Sequence, residues 1–143
     1  MPVEANVAVV RAWIEAYNDR DAEKEAASRA LGFVAHISGM PAPLDGVGWT
    51  QFITSFATSF PDLRLFIEDI VADEETVAAR VSFHGTHLGE FQGVPPTGRG
   101  VTFTSMEFNR IAGGRVAEHW VELDLTGLMR QIEAIPTPEP ATI

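Results

Sequence analysis

The chain has no cysteine, only one lysine, and no apolar run long enough to span a membrane. Without cysteine there is no disulfide framework, no thiolate nucleophile and no cysteine-held zinc or iron–sulfur site. Ten basic residues stand against twenty acidic ones, a net charge of -10. That charge repels a phosphate backbone and an anionic membrane surface, so neither nucleic acid nor membrane is expected as a partner. The opening MPVEANVAVVRAW lacks the basic start and apolar middle of a signal peptide. The simplest reading is a soluble, cytoplasmic protein.

Apolar residues make up 45% of the 143 positions, with nine Phe and three Trp, which predicts a globular chain built on one core. Val7, Val10, Trp13, Ile14 and Tyr17 recur at helical spacing, with Glu4, Arg11, Glu15 and Asn18 on other faces. After a break at residues 18–21, Asp21 can cap a second short helix through Ser28 or Arg29. FVAHISG, residues 33–39, reads as a brief extended or irregular stretch, and MPAPLDGVG as a loop. Trp49, Phe52, Ile53, Phe56 and Phe60 then paint one aromatic stripe along a third helix that Pro61 ends.

From Leu63 the pattern changes to strands: LRLFIEDIVADEE, TVAARVSFHGTHLGE, VTFTSMEFNRI and RVAEHWVELDL, separated by DEE, GVPPTGRG and AGG turn signals. LTGLMRQIE predicts a closing helical turn. Asp124 has the position and chemistry of its N-cap, which leaves Arg130 and Gln131 as solvated or rim residues. Helices followed by a strand meander exclude a doubly wound parallel sheet. The expected class is α+β: a cone-shaped α+β barrel in which a curved antiparallel sheet and N-terminal helices enclose a cavity. A single domain is expected over residues 1–135, with a flexible tail at 136–143.

Residues 85–132 resemble the C-terminal half of SnoaL-like polyketide cyclases, also called ester cyclases. The likeness is carried by G-x-H-x-G-x-F-x-G-x-P-P-T-G from Gly85 to Gly98, EHW at 118–120 and DLTGLMRQ from Asp124. FPDL at 60–63 and the His of FVAHISG fit as well. The resemblance implies the fold of nuclear transport factor 2, a homodimer, and a ligand cavity walled by the sheet. It implies intramolecular aldol condensation of a hydrophobic carbonyl substrate with neither metal nor organic cofactor, because conjugated carbonyls already acidify the carbon that loses its proton. On the shared motifs, the Asp that serves those cyclases as acid/base falls on Val121 and their neighbouring cavity His falls on Glu107.

Glu107 is therefore the leading carboxylate. Mid-strand beside Phe103 and Phe108, it would be partly desolvated and its pKa raised toward the range of a general base; the competing reading is an exposed strand Glu paired with an Arg. A tight Gly113-Gly114 hairpin puts residue 107 opposite Trp120, and one bulged residue puts it opposite Val121. His119 shares a strand face with Val121 and Leu123, and is either a cavity group or a core His satisfied by a backbone carbonyl.

His87 intrudes into the apolar row of Val77, Ala79, Val81 and Phe83, so it is preferred to His84 for the pocket. Glu107, His119 and His87 form the expected catalytic set. His36, Trp49, Phe52, Phe83, Phe103, Val121 and Leu123 are expected to bind substrate, His36 from the cavity mouth unless it is simply a surface loop residue. The Pro95-Pro96 loop is expected to cover the pocket. His84 and His87 project to opposite strand faces and no H-x-H or H-E-x-x-H occurs, so no metal site is expected. Arg80 lacks the flanking Asp pair that epoxide hydrolysis on this fold would need. A non-catalytic small-molecule binder is the alternative, because the usual acid/base position is Val121.

Overall fold

The computed structural model describes residues 2–136, so the expected tail lies, from residue 137 onward, outside the described residues. In chain order the elements are α1 (Val3–Asn18), α2 (Ala22–Ala27), β1 (Arg29–Ile37), α3 (Gly46–Ser59), β2 (Arg64–Ala72), β3 (Thr76–Thr86), β4 (Gly100–Ala112), β5 (Arg115–Leu123) and α4 (Leu125–Gln131). Asp21, Asp45 and Asp124 each cap a helix, accepting from the backbone N–H three residues on. Pro61, which cannot continue a helix, follows Phe60 at the end of α3.

The five strands form one sheet in the order β1-β5-β4-β3-β2. All pairings are antiparallel except β1 with β5, which is parallel. FVAHI of FVAHISG is thus extended, the end of a nine-residue edge strand longer than expected, through a pairing between segments more than eighty residues apart that local pattern does not reveal. β4 alternates without interruption, burying Val101, Phe103, Ser105, Glu107, Asn109 and Ile111 and exposing the residues between them. The helices cover this inner face. Asn18, at the end of α1, clips onto the free edge of β2: its amide donates to Leu65 O at 2.9 Å and accepts from Leu65 N at 2.8 Å. Gln131 of α4 does the same on β4, bonding both N and O of Thr102, so it is a docking residue rather than a rim residue.

Gly113 and Gly114, at φ 59° and 74°, make the two-residue turn between β4 and β5 that only left-handed residues can make. Ala117 is then left unpaired between the Ile111–Val116 and Arg110–Glu118 pairs. This bulge shifts the register by one residue, so Glu107 faces Val121.

A buried polar knot ties α1, α2, α3 and β1 together. Glu25, 5% exposed, accepts the indole N–H of Trp13 at 2.7 Å and of Trp49 at 3.0 Å on one carboxylate oxygen. Its other oxygen takes Arg29 Nη2 at 2.9 Å. Nothing in the pattern of α2 sets this glutamate apart, yet it fixes two of the largest side chains in the core. Removing one member of a buried ion pair strands the other. Glu25→Ala is therefore expected to cost about 3 to 5 kcal/mol in chemical denaturation, against about 1 kcal/mol for Asp124→Ala at the α4 cap. Equal losses in the two variants would show the knot to be unimportant.

Candidate active site

Between the helices and the inner face of the sheet lies a cavity of about 80 Å³. α1 contributes Trp13, Ile14 and Tyr17, and α3 contributes Trp49, Phe52, Ile53 and Phe56. Leu63, Leu65 and Phe83 line one side; Glu107, His119, Val121 and Leu123 form the wall on β4 and β5. Both helix stripes are apolar for packing reasons, so a gap between helices and sheet is lined by rings and aliphatic chains. Tyr17, Glu107 and His119 are the titratable groups on this lining.

Their environment decides what those groups can do. Glu107 is 7% exposed and pairs with no cation among the described residues. Burial raises its pKa from 4.5 to about 7, opposed only weakly by a hydrogen bond from Asn109 Nδ2 at 3.2 Å. His119, 2% exposed, is driven the other way: burial lowers its pKa to about 3, so it is neutral across the physiological range. Asn109 sits between them and is fully buried. Its Oδ1 lies 2.7 Å from His119 Nδ1, and its Nδ2 also reaches Val77 O at 3.3 Å. Trp13 and Trp49 pack roughly perpendicular to the imidazole, each with ring centroids 5.1 Å away. The Tyr17 hydroxyl is buried with no hydrogen-bond partner among the described residues, and desolvation raises its pKa.

Of the residues expected from sequence, Glu107, His119, Trp49, Phe52, Phe83, Val121 and Leu123 line this cavity. Three do not. Phe103 lies behind Phe83, stacked on it at 4.7 Å, and packs into a second aromatic cluster with Phe56 and Phe60. His87 is fully buried, but β3 ends at Thr86 and the chain turns there, so the imidazole sits against Phe60 with Nδ1 held by Thr97 Oγ1 and Thr97 N. His36 lies on the opposite side of the sheet, because β1 runs through Ile37 and its alternation turns Phe33, Ala35 and Ile37 inward. There it stacks on Trp120 and binds Glu118 at 2.6 Å. The Pro95-Pro96 loop is also off the cavity: its Phe91 packs on Phe56 and Phe60, and Leu88 and Gly89 are clipped to Ser59 O at the end of α3.

Sequence reasoning missed Tyr17 and Trp13 as cavity residues, and Asn109 as the buried amide joining Glu107 to His119. The signal for Asn109 was present, since Ser105, Glu107 and Asn109 place three polar residues in succession on the buried row of β4.

The profile of the SnoaL-like polyketide cyclase family matches residues 7–132. The chain belongs to this family. Among curated relatives it is 28% identical over 148 residues to the aklanonic acid methyl ester cyclase DnrD of Streptomyces peucetius, covering 96% of this chain and 97% of that one. It is 29% identical to the aklanonic acid methyl ester cyclase DauD of Streptomyces sp. (strain C5), over 92% and 84% of the two chains. Among solved structures, AclR of Streptomyces galilaeus superposes with a TM-score of 0.88 at 26% identity, covering 96% of this chain and 87% of that one. IdmH of Streptomyces antibioticus gives 0.82 at 32% identity over 89% and 97%. The architecture is accordingly the nuclear-transport-factor-2-like α+β fold.

Within that family fold the two perturbed groups make folding depend on pH in opposite directions. Glu107 has its folded pKa raised, so the folded state holds a proton that the unfolded chain releases, and stability is lost as pH rises from 4.5 to about 7. His119 has its pKa lowered, so stability is lost as pH falls from 6.5 to about 3. Between about 4.5 and 6.5 the folded chain carries on Glu107 the proton that the unfolded chain carries on His119, and the two effects offset. Glu107→Gln, which mimics the protonated acid, is expected to match the parent near pH 4 and to exceed it above pH 7 by on the order of 3 kcal/mol. Unfolding curves across pH measure this directly; a difference that does not change with pH would contradict the burial of an unpaired acid.

Proposed function

We propose that the protein is a cofactor-free cyclase that closes a ring in a hydrophobic carbonyl substrate by intramolecular aldol condensation, with Glu107 as the acid/base. The observation that carries this reading is a lone carboxyl group, with a pKa of about 7, on a cavity lining that is apolar apart from Tyr17 and His119. A general acid/base works best when its pKa lies near the working pH, because both protonation states are then populated. The family resemblance puts the usual acid/base at position 121, here Val121. Glu107 faces Val121 directly across β4 and β5, so a carboxylate from the neighbouring strand reaches the same part of the cavity.

In the proposed cycle the Glu107 carboxylate removes a proton from a carbon acidified by adjacent carbonyls. The enolate carbon then adds to a ketone carbon of the same molecule, forming the new C–C bond. The resulting alkoxide takes the proton back from Glu107, so the enzyme returns to its starting state and no oxidant or reductant is consumed. The unpartnered Tyr17 hydroxyl is the donor available to the developing oxyanion. Walls of Trp, Phe and Leu exclude water and suit a flat apolar substrate. Aklanonic acid methyl ester, for which two relatives are named, is the first compound to try.

Turnover followed by product chromatography is expected to fall about 100- to 10,000-fold in Glu107→Gln. In the parent, kcat/KM is expected to rise with pH through a midpoint near 7 as the carboxylate forms. Unchanged turnover in the variant would remove Glu107 from this role. Tight binding of the ester with no turnover in either protein would favour the reading that Val121 suggests, a non-catalytic binder.

We also propose a homodimer formed through the outer face of the sheet. Met106, Phe108 and Trp120 are 59%, 58% and 39% exposed there, with Phe108 paired directly across from Trp120. Light scattering is expected to give twice the 15.6 kDa chain mass, reduced to one chain by Phe108→Arg. A monomeric parent protein would overturn the proposal.

A further inference from the structure

We infer that Asn109 locks His119 in the tautomer with its proton on Nδ1, and that His119 Nε2 is thereby a bare acceptor selecting ligands with a hydroxyl donor, a phenol or an enol. The inference takes the cavity to be the ligand site, as the proposed function does.

Val77 fixes the orientation of the amide. Its carbonyl oxygen can only accept, and the Asn109 side-chain atom facing it at 3.3 Å must therefore be the amide nitrogen. The same nitrogen is 3.2 Å from a Glu107 oxygen, so its two protons are used on two acceptors. Asn109 Oδ1 is left facing His119 Nδ1 at 2.7 Å. A carbonyl oxygen accepts, so Nδ1 donates, and a neutral imidazole that carries its proton on Nδ1 has none on Nε2. The fully buried amide cannot be turned over without setting two acceptors against each other at Val77.

The orientation of one amide thus determines the hydrogen-bonding character of the cavity. With Nδ1 committed, Nε2 is the nitrogen of His119 that a ligand can meet. Trp13 and Trp49 cannot satisfy it, since both indole N–H groups donate to Glu25. A ligand without a donor leaves this acceptor desolvated and unpaired, and a site built around a buried polar group rejects such analogues. A hydroxyl pairs with Nε2, while a ligand carbonyl has the free Tyr17 hydroxyl as donor. Asn109 is in this account a positioning residue for Glu107 and His119 together.

Two measurements on the full chain test this without reading turnover. Long-range 15N–1H spectra at neutral pH are expected to show the His119 proton on Nδ1; Asn109→Leu is expected to move it to Nε2. A proton on Nε2 in the parent protein would overturn the inference. Calorimetric titration with 2-naphthol, its methyl ether and naphthalene is expected to favour the naphthol about tenfold, with the preference abolished in His119→Phe. Equal affinity for naphthol and ether in the parent protein would also overturn it. A protein that shows the Nδ1 proton and prefers the naphthol, yet closes no ring, would remove the cyclase reading alone.

Discussion

One buried amide stands between the two ionisable groups of the cavity wall, and the site depends on it. Asn109 gives its protons to Glu107 and Val77 O and its oxygen to His119. It thereby holds a carboxyl group and an imidazole side by side without an ion pair. Were Glu107 and His119 in direct contact, the pair could exchange a proton and settle as two opposite charges. Separated by an uncharged amide, each responds chiefly to burial, which protonates the acid and deprotonates the base. At neutral pH the one charge this pair can carry is therefore on Glu107, a carboxylic acid close to its titration point.

The frame that permits this is built elsewhere. The single-residue bulge at Ala117 brings Glu107 opposite Val121. The Glu25–Arg29 pair holds the two indoles that close on the imidazole. Neither feature touches the space a substrate would fill, yet a change in either would move the carboxyl or the ring. Relatives of this fold carry different assignments: DnrD and DauD are ester cyclases, whereas AclR is provisionally assigned as a hydroxylase. A scaffold that presents nine buried positions on β4 and β5 can place a proton-handling group on either strand while the surrounding packing is kept.

Much of this was legible in the sequence, and what was not has physical causes. The aromatic stripe of α3, the caps at Asp21 and Asp124 and the alternation of β4 are local patterns, and local patterns survive translation into structure. The class and the family motifs could be read for the same reason. The β4–β5 register was narrowed to two choices, because the turn residues were visible but a bulge leaves no mark in composition. FVAHISG reads only as extended or irregular because its partner, β5, is distant in sequence, and the placement of His36 depends on that pairing, since alternation sends it outward once the strand continues to Ile37. His87 was correctly expected to be buried, but burial does not say in which of two adjoining aromatic clusters. Tyr17 passed as one more member of an apolar stripe, since the missing partner of its hydroxyl is a tertiary fact.

The chemistry of this cavity depends on the acid on β4 being held out of water. The most direct measurement is a carboxyl 13C titration of Glu107 in the native protein, assigned by comparison with Glu107→Gln. A midpoint near 7 is the expected result. A midpoint near the ordinary 4.5 would mean that water reaches the carboxylate freely, and that this group is no more a proton carrier than any glutamate on the surface.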